Sequence, residues 1–119
     1  MSATYTLKIL ADFASAHTLR DYPGDCRRMH GHNWKLEVEV TANALNQHGM
    51  GMDFKTIKTA TRELAKTLDH RYLNDIPPFD EINPTAENIA QFFYQRLSDT
   101  LNTDTARVSG VTVWETDRA

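Results

Sequence analysis

From Trp34 to Thr41 the chain alternates without a break, with Trp34, Leu36, Val38 and Val40 on one side and Lys35, Glu37, Glu39 and Thr41 on the other. A period of two sends successive side chains to opposite faces of an extended strand, so this stretch has one buried face and one wet face. A strand of that kind belongs to an antiparallel sheet covered on a single side. A second alternation opens the chain, where Tyr5, Leu7 and Ile9 oppose Thr4, Thr6 and Lys8 and the pattern continues toward Phe13. Between the two lies a polar stretch from Thr18 to Met29 containing Pro23-Gly24-Asp25, which breaks the pattern and joins two neighbouring strands.

The period then changes. After a loop from Asn43 to Met52, Asp53 is placed to cap a helix in which Phe54, Ile57, Ala60, Leu64, Ala65 and Leu68 recur at helical spacing, ending near Asp69-His70. Asn74, Pro77, Pro78, Asn83 and Pro84 keep the next stretch extended or turning. Thr85 can cap a second helix carrying Ile89, Phe92, Phe93, Leu97 and Leu101, with Glu87 in the first turn where a negative charge suits the dipole. A last strand covers roughly Arg107 to Thr116, with Val111, Val113 and Glu115 facing one way and Thr112 and Trp114 the other. The order β-β-α-α-β predicts an α+β fold, and 119 residues make residues 1–119 a single domain.

Composition removes several classes of function. Sixteen acidic against thirteen basic side chains leave a formal charge of −3, and a pI near 5.9 argues against a general nucleic-acid binder. No apolar run approaches the ~18 residues of a membrane span, and Met1-Ser2-Ala3-Thr4-Tyr5 lacks the regions of a signal peptide, so the expectation is a soluble cytoplasmic chain without a membrane partner. A mean hydropathy of −0.54 is low for a globular domain and points to a core completed between subunits. The lone cysteine, Cys26, has no partner for an internal disulfide.

His30-Gly31-His32 puts two imidazoles on one face at the mouth of a strand, a geometry that suits either one metal ion or two ordinary surface histidines. His17, at the far end of the first strand, comes beside them if the two strands pair antiparallel, giving three neutral imidazoles with an open fourth position. Cys26 admits three readings: a fourth metal ligand in a closed structural site, a base with its thiol activated by Arg27, Arg28 and a nearby dication, or an inert buried thiol. Asp69-His70 reads either as a histidine stabilising a helix C-terminus or as a carboxylate orienting an imidazole that exchanges protons with Cys26. Glu115 is the odd residue on an apolar strand face. If that face turns inward, a ligand with two adjacent N–H groups, as in a pterin or guanine, would satisfy it. His48 reads as surface, and Trp34, Phe92 and Phe93 as core.

Five blocks in order resemble the motifs of the 6-pyruvoyl-tetrahydropterin synthase family: Phe13-Ala14-Ser15-Ala16-His17, Cys26 to Asn33, Leu68 to Asp75, Pro84 to Asn88, and Trp114-Glu115-Thr116. Within it, the three-residue spacer between Cys26 and His30 is similar to the bacterial queuosine-pathway branch, the 6-carboxy-5,6,7,8-tetrahydropterin synthases. The resemblance implies a T-fold (tunnelling fold), an antiparallel sheet with two helices on one face, ordered β-β-α-α-β(-β) because family members continue into a closing strand. Trimers would close a barrel and stack in pairs as a homohexamer. It implies Zn2+ on His17, His30 and His32, Cys26 as catalytic base, and Asp69 with His70 as a proton relay. Glu115 would anchor the pterin, with Thr85, Ala86 and Glu87 near the same pocket and Met52-Asp53-Phe54 of a neighbouring subunit lining it. The implied reaction is a lyase step on 7,8-dihydroneopterin triphosphate giving 6-carboxytetrahydropterin, acetaldehyde and triphosphate, with Arg27 and Arg28 as candidate triphosphate contacts. The alternatives are a pyruvoyl-forming synthase or related dihydroneopterin side-chain lyase, and a non-enzymatic zinc-stabilised pterin- or purine-binding module.

Overall fold

The computed structural model describes residues 3–24 and 27–119, so Cys26, the candidate base, lies outside the described residues. Two 13-residue strands, β1 (Tyr5–His17) and β2 (His30–Ala42), form the spine. They pair antiparallel along their full length, from Tyr5 opposite Ala42 to His17 opposite His30. The alternation read from the sequence sets this register: Ile9 opposes Val38 and Phe13 opposes Trp34 on the buried face, while Lys8 opposes Glu39 and Asp12 opposes Lys35 on the other. A slip of one residue would turn every apolar side chain to solvent.

The helices α1 (Phe54–Lys66) and α2 (Ala86–Leu101) follow, each starting where its cap was expected. Asp53 Oδ1 accepts from Lys55 N at 2.8 Å, and Thr85 Oγ1 accepts from Asn88 N at 3.1 Å, each satisfying a first-turn N–H that the helix leaves unpaired. Both helices pack on one face of the sheet, where Ile57, Ala65, Ile89, Phe93 and Leu97 close over Ile9, Phe13, Trp34, Leu36 and Val38. The sheet ends in β4 (Ala106–Trp114), antiparallel to β2.

Two features depart from the expected antiparallel sheet. After α1 the chain makes a two-residue strand, β3 (Arg71–Tyr72), parallel to β1 at Ser15 and Ala16, so the sheet is mixed with the order β3-β1-β2-β4. The register of β4 on β2 also shifts between Glu39 and Val40, leaving Ser109 as an extra residue. That bulge re-phases the strand: Ala106 and Val108 face the core before it, and Val111 and Val113 after it. Glu115, two residues beyond Val113, is thereby aimed at the helix-covered face. Ser109 Oγ donates to Glu39 Oε1 at 3.0 Å and holds the bulge in place. No helix of the described residues is long and apolar enough to cross a membrane.

Candidate metal centre

The β1–β2 register carries three histidines to one end of the sheet on its helix-covered face. His17 opposes His30, and His32 opposes Ser15 one step inward. Alternation puts all three rings on the side of Phe13 and Trp34. Their centroids stand 4.4 Å (His17–His30), 5.3 Å (His17–His32) and 4.9 Å (His30–His32) apart. Trp34 forms the floor, edge-on to His17 at 5.0 Å and to His32 at 5.4 Å, with its indole N–H donating to Ser15 O.

Backbone carbonyls orient two of the rings. His17 Nδ1 lies 2.7 Å from Pro84 O, and His30 Nδ1 lies 2.7 Å from Arg28 O. A carbonyl can only accept, so each Nδ1 carries the hydrogen and each neutral ring turns a bare Nε2 lone pair into the site. This is the outer-sphere arrangement that fixes the tautomer of a metal-bound histidine. His17 is 1% exposed, and burial holds its pKa below the ordinary 6.5 against the opposing pull of the Pro84 carbonyl, which keeps the lone pair free. Among the described residues, His17 Nε2 and His32 Nε2 are buried without a hydrogen-bond partner, a costly state for polar atoms unless an ion completes it.

Glu115 enters from the end of β4 and sets Oε1 3.2 Å from His17 Nε2 and 3.3 Å from His32 Nε2. Ligand atoms of His17, His30, His32 and Glu115 all lie within 4.8 Å of one another, a donor set of three nitrogens and one oxygen suited to zinc.

The remaining candidates lie around this cluster without joining it. Asp69 and His70 pair with each other, Oδ2 to Nδ1 at 2.9 Å, and Asp69 Oδ1 accepts from Ala14 N at 2.8 Å. The Ala14 amide first, and His70 second, hold the Asp69 carboxyl below its usual range. α1 ends at Lys66, and His70 sits beyond it in the left-handed region at φ 56°, its own N–H bonded to Ala14 O, so it does not cap the helix carbonyls. Its ring is exposed and lines a cavity of about 450 Å³ at the end of the sheet, whose wall includes Ala14, Ala16, Gly31 and Asn33, on the face away from the helices by alternation, and also Ser15 and His32. Thr85 and Ala86 are half-buried at the start of α2, next to the Pro84 carbonyl that holds His17, while Glu87, Arg27 and Arg28 are exposed. Met52 packs against the core as Phe54 remains exposed, and His48 is exposed in its loop.

Sequence reasoning missed the residues that hold this end of the sheet closed. Asn74 receives Thr18 N and donates to Thr18 O, both at 2.9 Å, and Asn83 makes the same pair of bonds to Arg20. The Arg20 guanidinium donates to the carbonyls of Asn74, Phe79 and Ile82. These bonds tie the exit of β1 to the segment ending in Pro84 and so set the carbonyl that orients His17. Asn and Pro in that segment were legible as turn formers, and nothing in their spacing signals a bond to a histidine.

Comparison with known proteins gives the same frame. A curated 6-carboxy-5,6,7,8-tetrahydropterin synthase of Synechocystis sp. is 38% identical over 92 residues, 73% of this chain and 70% of that protein. A dihydroneopterin monophosphate aldolase of Pyrococcus furiosus is 34% identical over 105 residues, 88% and 84% of the two chains. The solved 6-pyruvoyl tetrahydropterin synthase of Caenorhabditis elegans superposes with a TM-score of 0.87 at 25% identity, covering 98% of this chain and 92% of its own. The pattern described as 6-pyruvoyl tetrahydropterin synthase matches residues 6–119, and the T-fold expected from the motifs is the one observed. This chain belongs to the 6-pyruvoyl tetrahydropterin synthase family.

Proposed function

We propose that this chain is a zinc-dependent 6-carboxy-5,6,7,8-tetrahydropterin synthase, converting 7,8-dihydroneopterin triphosphate and one water to 6-carboxytetrahydropterin, acetaldehyde and triphosphate, on the route to queuosine and related 7-deazapurines. The observation that carries the reading is the convergence of His17, His30 and His32, two of them locked in tautomer by backbone carbonyls, beside buried nitrogens that have no partner of their own. The three imidazoles would hold the zinc, which when bound supplies Lewis-acid activation of the substrate's side-chain oxygens.

The chain's own residues do the rest. Cys26 serves as the base that removes a side-chain proton, four positions ahead of His30. Asp69 keeps His70 in the tautomer with the hydrogen on Nδ1, leaving Nε2 to accept or return a proton. His70 is exposed at the end of the sheet and pairs with Asp69 rather than with the histidine cluster, and in this reading the dyad serves the site of a neighbouring subunit in an oligomer with a barrel of the homohexameric type. The Glu115 carboxylate matches the adjacent N–H groups of a pterin ring, with Thr85, Ala86 and Glu87 at the pocket wall. Arg27 and Arg28, both exposed and next to the site, are the triphosphate contacts in this reading.

A second reading within the family is cleavage of the dihydroneopterin side chain by an aldolase-type step, favoured by the 34% identity to the Pyrococcus protein. Mass spectrometry of the product separates the two. Purified zinc-loaded protein given 7,8-dihydroneopterin triphosphate should form 6-carboxytetrahydropterin and acetaldehyde. A 6-pyruvoyl product, or turnover of the monophosphate to a hydroxymethyl pterin alone, refutes the proposal in favour of a paralogous reaction.

A further inference from the structure

The anchor role gives Glu115 to the pterin, yet its carboxylate rests on two of the histidines. Neither contact is a hydrogen bond, since among the described residues His17 Nε2 and His32 Nε2 both lack a hydrogen-bond partner. His17 has committed its one hydrogen to the Pro84 carbonyl, so its Nε2 lone pair faces a carboxylate lone pair. Two acceptors this close repel each other unless a cation lies between them. The spacing fits that arrangement. Ligands about 2.0–2.1 Å from a tetrahedral ion stand about 3.3–3.4 Å from one another, and the two observed separations are 3.2 and 3.3 Å.

We infer that Glu115 is the fourth ligand of the metal centre in the substrate-free protein, and that it leaves the metal for the pterin when substrate arrives, opening the position the substrate oxygen takes. The inference rests on the three-histidine reading above and adds a second state to it. Glu115 follows Trp114, the last residue of β4 paired to β2, so its side chain can swing without disturbing the core. At 36% side-chain exposure it is also more open to solvent than His17 at 1% or His32 at 22%. In each state the carboxylate charge is matched, by the ion in one and by two ligand N–H groups in the other. A closed four-ligand site protects the metal at rest, and catalysis needs the open position that the exchange creates.

Cobalt in place of zinc makes the exchange visible, because four-coordinate Co2+ absorbs visible light far more strongly than five- or six-coordinate Co2+. The full-length protein loaded with Co2+ should show strong four-coordinate bands. In Glu115→Gln, shown to be folded by circular dichroism, those bands should weaken or shift and the Co2+ dissociation constant should rise roughly tenfold or more. Neopterin added to the unmodified protein, at concentrations where its fluorescence shows it bound, should move the spectrum toward that of Glu115→Gln. Unchanged bands and affinity in Glu115→Gln overturn the ligation. A near-ultraviolet thiolate-to-cobalt band that vanishes in Cys26→Ala gives the fourth position to sulfur and also overturns it. A spectrum that bound neopterin leaves unchanged overturns the exchange. A chain that takes up no Co2+ at all sinks the three-histidine reading itself, and this inference with it.

Discussion

Replacing His17 with alanine separates the packing role of the histidine cluster from its ligand role. His17 is 1% exposed, its ring stands against Trp34, and its Nδ1 satisfies the Pro84 carbonyl. Removing the ring orphans that carbonyl, at about 1–3 kcal/mol, and leaves a small void worth about 1 kcal/mol more. The metal-free variant should therefore lose about 2–4 kcal/mol, a fall in Tm of about 10–20 °C for a domain of this size. His32 is a control of the same chemistry in a different setting: its side chain is 22% exposed and, among the described residues, its Nε2 makes no hydrogen bond. His32→Ala should cost the metal-free protein about 1 kcal/mol or less. With zinc at about a thousand times its dissociation constant, the unmodified protein should gain about 4 kcal/mol, and both variants should lose that gain. Differential scanning fluorimetry of chelator-stripped and zinc-loaded samples reads all six values. Equal losses in the two metal-free variants, or a surviving zinc-induced rise in His17→Ala, would refute the reasoning.

Three further expectations follow from the same geometry. Cys26→Ala should keep stoichiometric zinc by elemental analysis while losing turnover; loss of zinc instead would make the thiol a structural ligand. Asn74→Ala removes the two bonds to the Thr18 backbone, next to His17, and should weaken zinc binding roughly 10–100-fold in a chelator competition, whereas unchanged affinity would deny it a positioning role. The metal-free protein should also lose stability in acid. Burial lowers the folded pKa of His17 below its unfolded value near 6.5, so the unfolded chain takes up the proton first as pH falls. The His17 contribution is complete above 6.5 and disappears as pH falls through the lowered folded value. Denaturant midpoints between about pH 8 and about pH 5 should show that slope, and His17→Gln should flatten it.

The arrangement of the histidine cluster was legible because it follows from period-two alternation. Once Trp34, Leu36, Val38 and Val40 must pack on Ile9 and Phe13, antiparallel pairing brings His17 to His30 with no further information. The helix starts were legible for a similar reason, since Asp53 and Thr85 act on their own first turns. What escaped was non-local or carried by the backbone. β3 is two residues long, too short to show a period, and it is specified by the Ala14 carbonyl and the left-handed turn at His70. The Pro84 and Arg28 carbonyls that orient the imidazoles have no residue signature. The placing of Asp69-His70 outside the cluster depends on which face of β1 the chain reaches after α1, which alternation within β1 cannot tell. Alternation put Glu115 on the face of Val111 and Val113 and left open which way that face turns; its approach to His17 and His32 became visible only with the Ser109 bulge and the end of β4 in place.

Zinc titration of the chelator-stripped protein decides whether turnover depends on the histidine cluster. With 7,8-dihydroneopterin triphosphate as substrate and acetaldehyde release as the signal, activity should be absent without metal, rise linearly with added zinc, and break at one equivalent per chain. Full turnover in the stripped protein, or activity that does not track zinc occupancy, would contradict a reaction centred on His17, His30 and His32.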